Sequence, residues 1–253
     1  MIKAVLIDLD NTLLETQALY TAAEADLQHL IEALSGARAS DVADEIQRRK
    51  LSLFERYGYD PGMLPRAFEE ALIAFVPAAN DDDILHAHQL GERIFQEEAR
   101  LKEGVTEAVR ILAEHFVLYL VTVGNEDVQI QRIETLPFRD LFKEIFIVPD
   151  KNADTYRIVL RQCNLAPDEA VMIGDSLKSD IIPAVEAGLT AIHIPGENWH
   201  GREMHGLEAP RERFFKHTSL RDAADFLIAP PTDPERAPQK KSLPRHSRHR
   251  PGH

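Results

Sequence analysis

The chain holds a single cysteine in 253 residues, Cys163. No disulfide framework can form within it, which agrees with a reducing, cytoplasmic setting. The local pattern puts Cys163 within a helix, where a lone thiol is more often a packed side chain than a nucleophile. Long apolar runs are also missing. No stretch approaches the roughly 20 residues that a membrane helix needs. The first residues read as a strand, without a small-residue cleavage site after a charged, apolar leader. Positive charge is scarce, with 29 Lys and Arg against 42 Asp and Glu, a net charge of −13. Phosphate backbones select basic surfaces, so the folded part is not expected to bind nucleic acid. What remains, 44% hydrophobic and 28% charged residues, is normal for a soluble globular protein. The length fits one large domain or a core domain carrying an insertion.

The chain opens on Ala4-Val5-Leu6-Ile7 running into Asp8-Leu9-Asp10-Asn11-Thr12. An unbroken apolar run reads as a strand buried on both faces, the pattern of a central parallel strand. Asp8 and Asp10 then stand at its carboxyl end, where open α/β sheets place their ligands, and alternation points both to the same side. Two carboxylates so close repel unless a cation lies between them or one is protonated. Hard cations with oxygen ligands, Mg²⁺ first, suit that pair. Taken alone, the stretch also fits a strand ending in a polar turn.

From residue 16 to about 99 the periodicity is helical. Leu27, Leu30, Ile31 and Leu34 line one face, ended by Ser35-Gly36; Ser40-Asp41 can cap a second helix running to Gly58. Leu64, Phe68, Ala71, Leu72 and Phe75 mark a third, and Asn80-Asp81-Asp82-Asp83 opens a fourth with negative charge at its positive dipole end. After residue 100 the pattern alternates. Apolar strands are expected over 116–121, 145–148, 170–173 and 190–194, with helices between them, one from about Thr155 to Cys163. A last helix is expected from Phe214 to Ile228. This alternation predicts an α/β fold, a doubly wound parallel sheet with an inserted all-helical segment. The domain reading is therefore a core of residues 1–15 and 100–229, a helical insertion of 16–99, and a basic, proline-rich tail of 230–253. The tail has too few apolar side chains to offset its ordering entropy and is expected to be disordered.

Polar residues recur at the ends of three strands: Asp8 and Asp10, then Thr122, then Asp175 and Asp180, with Lys151 heading a helix between the last two groups. Parallel strands bring such ends to one edge. This order and spacing resemble the four motifs of the haloacid dehalogenase (HAD) superfamily. Asp8-Leu9-Asp10-Asn11-Thr12 matches the first, Thr122 the second, Lys151 the third, and Gly174-Asp175 with Asp180 the fourth. The helical insertion resembles the family's C1-type cap, and the resemblance spans about residues 1 to 228. Lys151 lacks the proline common after this lysine in relatives, so Lys143 stays as a rival for the third motif.

The resemblance implies a phosphomonoester hydrolase in which Asp8 is the nucleophile and Asp10 the acid and base. It implies Mg²⁺ held by Asp8, the Asp10 backbone carbonyl and Asp175, with Asp180 as a further ligand or an orienting group. It implies phosphate held by Thr122 and the amides of Val123 and Gly124, with Lys151 balancing negative charge. The implied substrate is a small soluble phosphate ester, a sugar phosphate or a nucleotide. Haloacid dehalogenases share the scaffold but lack the carboxylate two residues after the nucleophile, which this chain has in Asp10. Phosphomutases share all four motifs, and an idle partner-binding protein would have lost one. Glu15, Gln17 and Tyr20 are candidate substrate contacts, whereas Arg48, Arg49, Lys50 and Arg56 either attract an anion or sit on a solvated face. His193, Trp199 and His200 near the last strand read as surface or packing groups.

Overall fold

A computed structural model describes residues 1–196 and 207–229. Trp199, His200 and the tail expected to be disordered lie outside the described residues. Six strands form one wholly parallel sheet in the order β3-β2-β1-β4-β5-β6. They are β1 (Ala4–Ile7), β2 (Val117–Val123), β3 (Phe142–Val148), β4 (Ala170–Gly174), β5 (Thr190–His193) and β6 (Phe214–Lys216). As its apolar run predicts, β1 is central and fully buried between β2 and β4.

Period-2 alternation divides the sheet's side chains between two faces. Val5, Ile7, Leu118, Leu120, Val171 and Ile173 pack with Val109 and Leu112 of α5 (Val105–His115) and Ala223 and Ala224 of α9 (Leu220–Ile228). Ala4, Leu6, Tyr119, Val121 and Met172 pack on the other face with Tyr156, Val159 and Leu160 of α7 (Ala153–Gln162) and Ala184 of α8 (Ile182–Glu186). Each large apolar side chain buried this way contributes about 1.5–3 kcal/mol, so both faces must be covered for the sheet to stand.

Four helices lie between β1 and α5: α1 (Thr16–Ser35), α2 (Ala39–Tyr57), α3 (Met63–Phe75) and α4 (Asp81–Gln96). They close on a core of their own that includes Leu27, Ile31, Ile46, Phe68, Leu72 and Ile94. α3 and α4 meet where Gly91 leaves room for the Pro65 backbone; a Cβ there would lie 2.6 Å from Pro65 Cα. The helical segment joins the sheet through two antiparallel strips. Glu15 N–H donates to Arg100 O at 2.8 Å, and Lys102 N–H donates to Leu13 O at 2.9 Å.

Three sequence expectations are corrected at their edges. Phe214 does not start a helix: residues 214–216 form the edge strand β6, and α9 begins only at Leu220, capped by Ser219 Oγ accepting from Asp222 N. α2 starts at Ala39 behind an extended Arg38, so Ser40 and Asp41 lie inside its first turn. α7 starts at Ala153 because Asn152 Oδ1 accepts from Thr155 N at 2.9 Å, which explains why asparagine follows Lys151. Cys163 sits at the end of that helix, half-buried.

Candidate active site

β1 and β4 stop abreast of one another, and the backbone of Asp8 continues the pairing by donating to Ile173 O at 3.0 Å. The next residues coil into a single turn: Leu13 N–H and Leu14 N–H both donate to Leu9 O. Asn11 sits in that turn at φ +61°, a left-handed conformation that asparagine accepts more readily than most residues. Its Oδ1 accepts from Gln17 N at 2.7 Å, covering an otherwise unpaired amide at the start of α1. One residue thus joins the strand end to the helical segment.

Asp8, Thr122, Lys151, Asp175 and Asp180 are all buried, and they converge on one cleft of about 690 Å³ at the sheet's carboxyl edge. Lys151 Nζ donates to Asp8 Oδ1 at 2.5 Å and to Asp180 Oδ1 at 2.7 Å. Thr12 Oγ1 donates to Asp8 Oδ2 at 2.9 Å. The rival Lys143 is exposed on β3, well placed for solvent and not for the cleft. β4 leads into a π-helical turn at Leu177–Ile181, where Asp180 Oδ2 accepts from Ser176 N at 3.0 Å. The turn packs so tightly on Gly174 that a Cβ there would lie 2.3 Å from Asp180 Cγ.

Carboxylate oxygens of Asp8, Asp175 and Asp180 come within 4.8 Å of one another. Three buried carboxylates face one buried lysine, an excess of negative charge that a dry site does not tolerate unaided. Burial pushes the Asp8 carboxyl up to about 7 against the opposing pull of Lys151, with Asp180 and Asp10 pushing the same way as burial. Burial, reinforced by Asp8 and Asp180, holds Asp175 well above the usual carboxylate range. Asp175 Oδ2 has no hydrogen-bond partner among the described residues. A divalent cation on oxygen ligands answers each of these features, so the donor set fits such an ion.

Asp10 lies across the cleft, half-buried. Arg132 Nη1 donates to its Oδ1 at 2.9 Å and Gln129 Nε2 to its Oδ2 at 2.9 Å. Both donors stand on α6 (Glu126–Glu134), three residues apart on one helix face. Neither is among the residues the sequence singles out, because a polar i, i+3 pair on the helix after Thr122 looks like any solvated helix face. Gln129 Nε2 also reaches Val123 O at 3.0 Å, a close approach that depends on Gly124, whose added Cβ would meet Nε2 at 2.5 Å. Thr122 Oγ1 has no partner among the described residues and faces the cleft with Val123, while Gly124 lines an adjoining pocket instead.

Gln17 and Tyr20 of α1 line the cleft, whereas Glu15 is exposed and absent from its lining. Arg48 and Arg49 are taken up by Glu45 and, for Arg49, Glu70; Arg56 lies over the Tyr57 ring. Lys50 is buried and paired with Glu24 beside the adjoining pocket. His193 turns out to support the site: its ring Nε2 lies 2.7 Å from Asp175 O, where an N–H donates and steadies the loop carrying that carboxylate. Burial lowers the pKa of this histidine.

An open parallel sheet with a buried carboxylate–lysine centre at its carboxyl edge is the layout of an α/β enzyme. The family model for haloacid dehalogenase-like hydrolases matches residues 2–188, and the chain belongs to that family. A glyceraldehyde 3-phosphate phosphatase from Pyrococcus furiosus is 25% identical over 200 residues, 76% of this chain and 80% of the relative. A phosphorylated carbohydrates phosphatase from Thermotoga maritima is 23% identical over 198 residues, 76% and 84% of the two chains. Among solved structures, a haloacid dehalogenase-like family hydrolase from Xanthomonas campestris superposes with a TM-score of 0.75 at 25% identity, covering 89% of this chain and 90% of the other. The HAD-hydrolase YfnB from Bacillus subtilis, solved bound to magnesium, shares the fold with a TM-score of 0.62 at 20% identity over 90% and 99% of the chains. No helix among the described residues is long and apolar enough to cross a membrane.

Proposed function

We propose that this hydrolase cleaves small soluble phosphate monoesters with the help of Mg²⁺. The observation that carries the reading is the pairing of a Lys151-bound Asp8 with a second carboxylate, Asp10, held on separate donors across the same cleft. Two carboxylates in unlike surroundings divide the labour of nucleophile and proton carrier. An Asp8 oxygen attacks phosphorus, forming an aspartyl-phosphate as the ester oxygen leaves; protonated Asp10 gives that oxygen its proton. Ionised Asp10 then takes a proton from water, whose oxygen attacks phosphorus and frees inorganic phosphate, and Asp8 returns as a carboxylate. Thr122 Oγ1 and the Val123 amide serve as donors to phosphate oxygens, and Lys151 balances charge as Asp8 is esterified.

Asp8, Asp175 and Asp180, with the Asp10 carbonyl, are the residues that would hold Mg²⁺. When bound, the ion supplies positive charge that brings a phosphate dianion and an ionised Asp8 together. The relatives named for glyceraldehyde 3-phosphate and phosphorylated carbohydrates support a phosphate ester as substrate. Asp10 also favours phosphoryl chemistry over dehalogenation, where attack on carbon leaves a halide needing no proton. Residues 16–99 act in this reading as a cap over a core of 1–15 and 100–229, excluding water from the reacting centre.

The test is release of inorganic phosphate from an aryl phosphate by wild type and Asp8→Asn, with Mg²⁺ and with chelator. Turnover that needs Mg²⁺ and vanishes in Asp8→Asn supports the reading. Turnover that survives Asp8→Asn overturns the mechanism.

A further inference from the structure

Beside the catalytic cleft lies a second cavity, and Tyr20, Tyr59, Gln129 and Arg132 line both. The proposed chemistry uses none of its deeper wall. That wall is largely ring and aliphatic surface: Phe54, Met63, Leu64 and Phe95 from α2, α3 and α4. Phe54 and Tyr59 stand edge to face, centroids 5.0 Å apart at 82°. The opposite side is formed by Gly124 and Asn125, with the Gln129 side chain packed against Gly124. Both cations that line it are paired, Lys50 with Glu24 and Arg132 with Asp10, so the pocket offers little net positive charge to a second phosphate or a carboxylate.

The threshold between the cavities has a different chemistry. Arg132 Nη2, a donor, and Gln129 Oε1, an acceptor, are both buried and lack partners among the described residues. Such atoms cost free energy unless a ligand meets them. A hydroxyl group donates and accepts at once, so the hydroxyls of a sugar satisfy both. An alkyl chain satisfies neither.

We infer that the alcohol part of the substrate is a sugar bearing a planar heteroaromatic ring, the sugar lying at Arg132 and Gln129 and the ring in the pocket of Phe54, Tyr59 and Phe95; the simplest such ester is a nucleoside 5′-monophosphate. Ring faces stack on aromatic side chains, and ring-edge nitrogens and oxygens find Asp60, Lys50 and the 124–125 backbone. The inference rests on the phosphomonoesterase reading and adds to it the identity of the leaving group.

The test compares kcat/KM for a nucleoside 5′-monophosphate with that for ribose 5-phosphate, which presents the same 5′ ester without the ring. The full chain is used, with Mg²⁺, alongside acetyl phosphate as a small reference substrate. The wild type should prefer the nucleotide at least tenfold. That preference should shrink several-fold in Phe54→Ala and again in Tyr59→Ala, a more exposed position, with Tm checking that both variants are folded. Equal or better use of ribose 5-phosphate by the wild type, or a preference unmoved in both variants, overturns the inference. Hydrolysis of acetyl phosphate with neither sugar ester accepted overturns it too, while leaving the phosphatase reading in place. Failure on all three substrates overturns that reading, and the inference with it.

Discussion

Arg132 Nη1 donates to Asp10 Oδ1 across 122 positions of sequence, at 2.9 Å. The guanidinium also lines the cleft beside Tyr20 of α1, so it stands where the helical insertion meets the carboxylate proposed to carry protons. Its own pKa is raised because the attractions of Asp10 and Tyr20 outweigh its burial. It stays a cation throughout and acts by holding Asp10, not by titrating.

Replacing Arg132 should therefore hurt most where a proton must be delivered. An alkyl phosphate leaves as a poor alkoxide, whereas an aryl phosphate leaves as a stable phenolate. Arg132→Met is expected to lower kcat on an alkyl ester by roughly 10- to 100-fold, a part of the roughly 100- to 10,000-fold that a well-placed general acid–base contributes. On p-nitrophenyl phosphate the loss in the phosphorylation step should be smaller, and Arg132→Lys should recover part of it. Steady-state and single-turnover rates on both esters check this; equal losses on the two would remove the positioning role.

The crowded carboxylates predict how the metal-free protein responds to pH. Asp8 sits near 3.8 in the unfolded chain and about 7 in the folded one. A raised carboxyl favours folding below its unfolded pKa, and that contribution is lost as pH rises through the folded value. In chelator, wild type should therefore lose stability relative to Asp8→Asn between about pH 4 and pH 8, by up to a few kcal/mol. Urea titrations of both proteins across that range measure the gap. Adding Mg²⁺ at pH 8 should raise the wild-type Tm and leave Asp8→Asn less affected; a gap that does not widen with pH would mean that Asp8 ionises without penalty.

Gly174 ends β4 under the carboxylate of Asp180. A methyl group there would lie 2.3 Å from both Cγ and Oδ2 of that side chain. The backbone is buried sheet and cannot retreat, so Asp180 has to move and release Lys151. Gly174→Ala is expected to fold with a stability loss of about 1–3 kcal/mol. It should forfeit the Mg²⁺-dependent gain in Tm almost wholly. A thermal melt with and without Mg²⁺ separates the two effects, and a variant that keeps the full metal response would show that Asp180 lies outside the metal site.

Much of this arrangement was readable in the sequence, for physical reasons. Ala4–Ile7 and Ala170–Ile173 are apolar without interruption because neither face of a central parallel strand meets water. The buried residues at their ends, Asp8 and Asp175, are conspicuous against such runs. Gln129 and Arg132 were not, because on α6 they look like an ordinary polar helix face, and only the fold shows that the face is turned towards Asp10. The sequence pattern predicts that Phe214-Phe215-Lys216 starts a helix, whereas these residues form the edge strand β6. Three residues carry too little periodicity to separate strand from helix, and it is pairing with β5 that decides.

Asn11 separates two contributions that a single alanine substitution would merge. Its φ of +61° strains any side chain other than Asn or Asp, and its Oδ1 covers the Gln17 amide at the head of α1. Lys102 Nζ also reaches its carbonyl at 2.7 Å, tying the return strip of the helical segment to the same turn. Asn11→Gly keeps the backbone free and removes the hydrogen bonds that Oδ1 accepts from Gln17 N and Thr16 Oγ1, for an expected cost of about 0.5 kcal/mol. Asn11→Ala removes the cap and adds left-handed strain of about 1–2 kcal/mol, so it should melt clearly below the glycine variant. Both leave Asp8 and Asp10 chemically intact, yet both loosen the joint on which the insertion sits over the cleft. Their kcat/KM should fall with that loosening, glycine included, because Gln17 and Tyr20 are carried on α1. A glycine variant with wild-type kcat/KM and lowered Tm would confine Asn11 to stability; a parallel fall in both would make the turn after Asp10 the joint that sets the insertion over the reacting carboxylates.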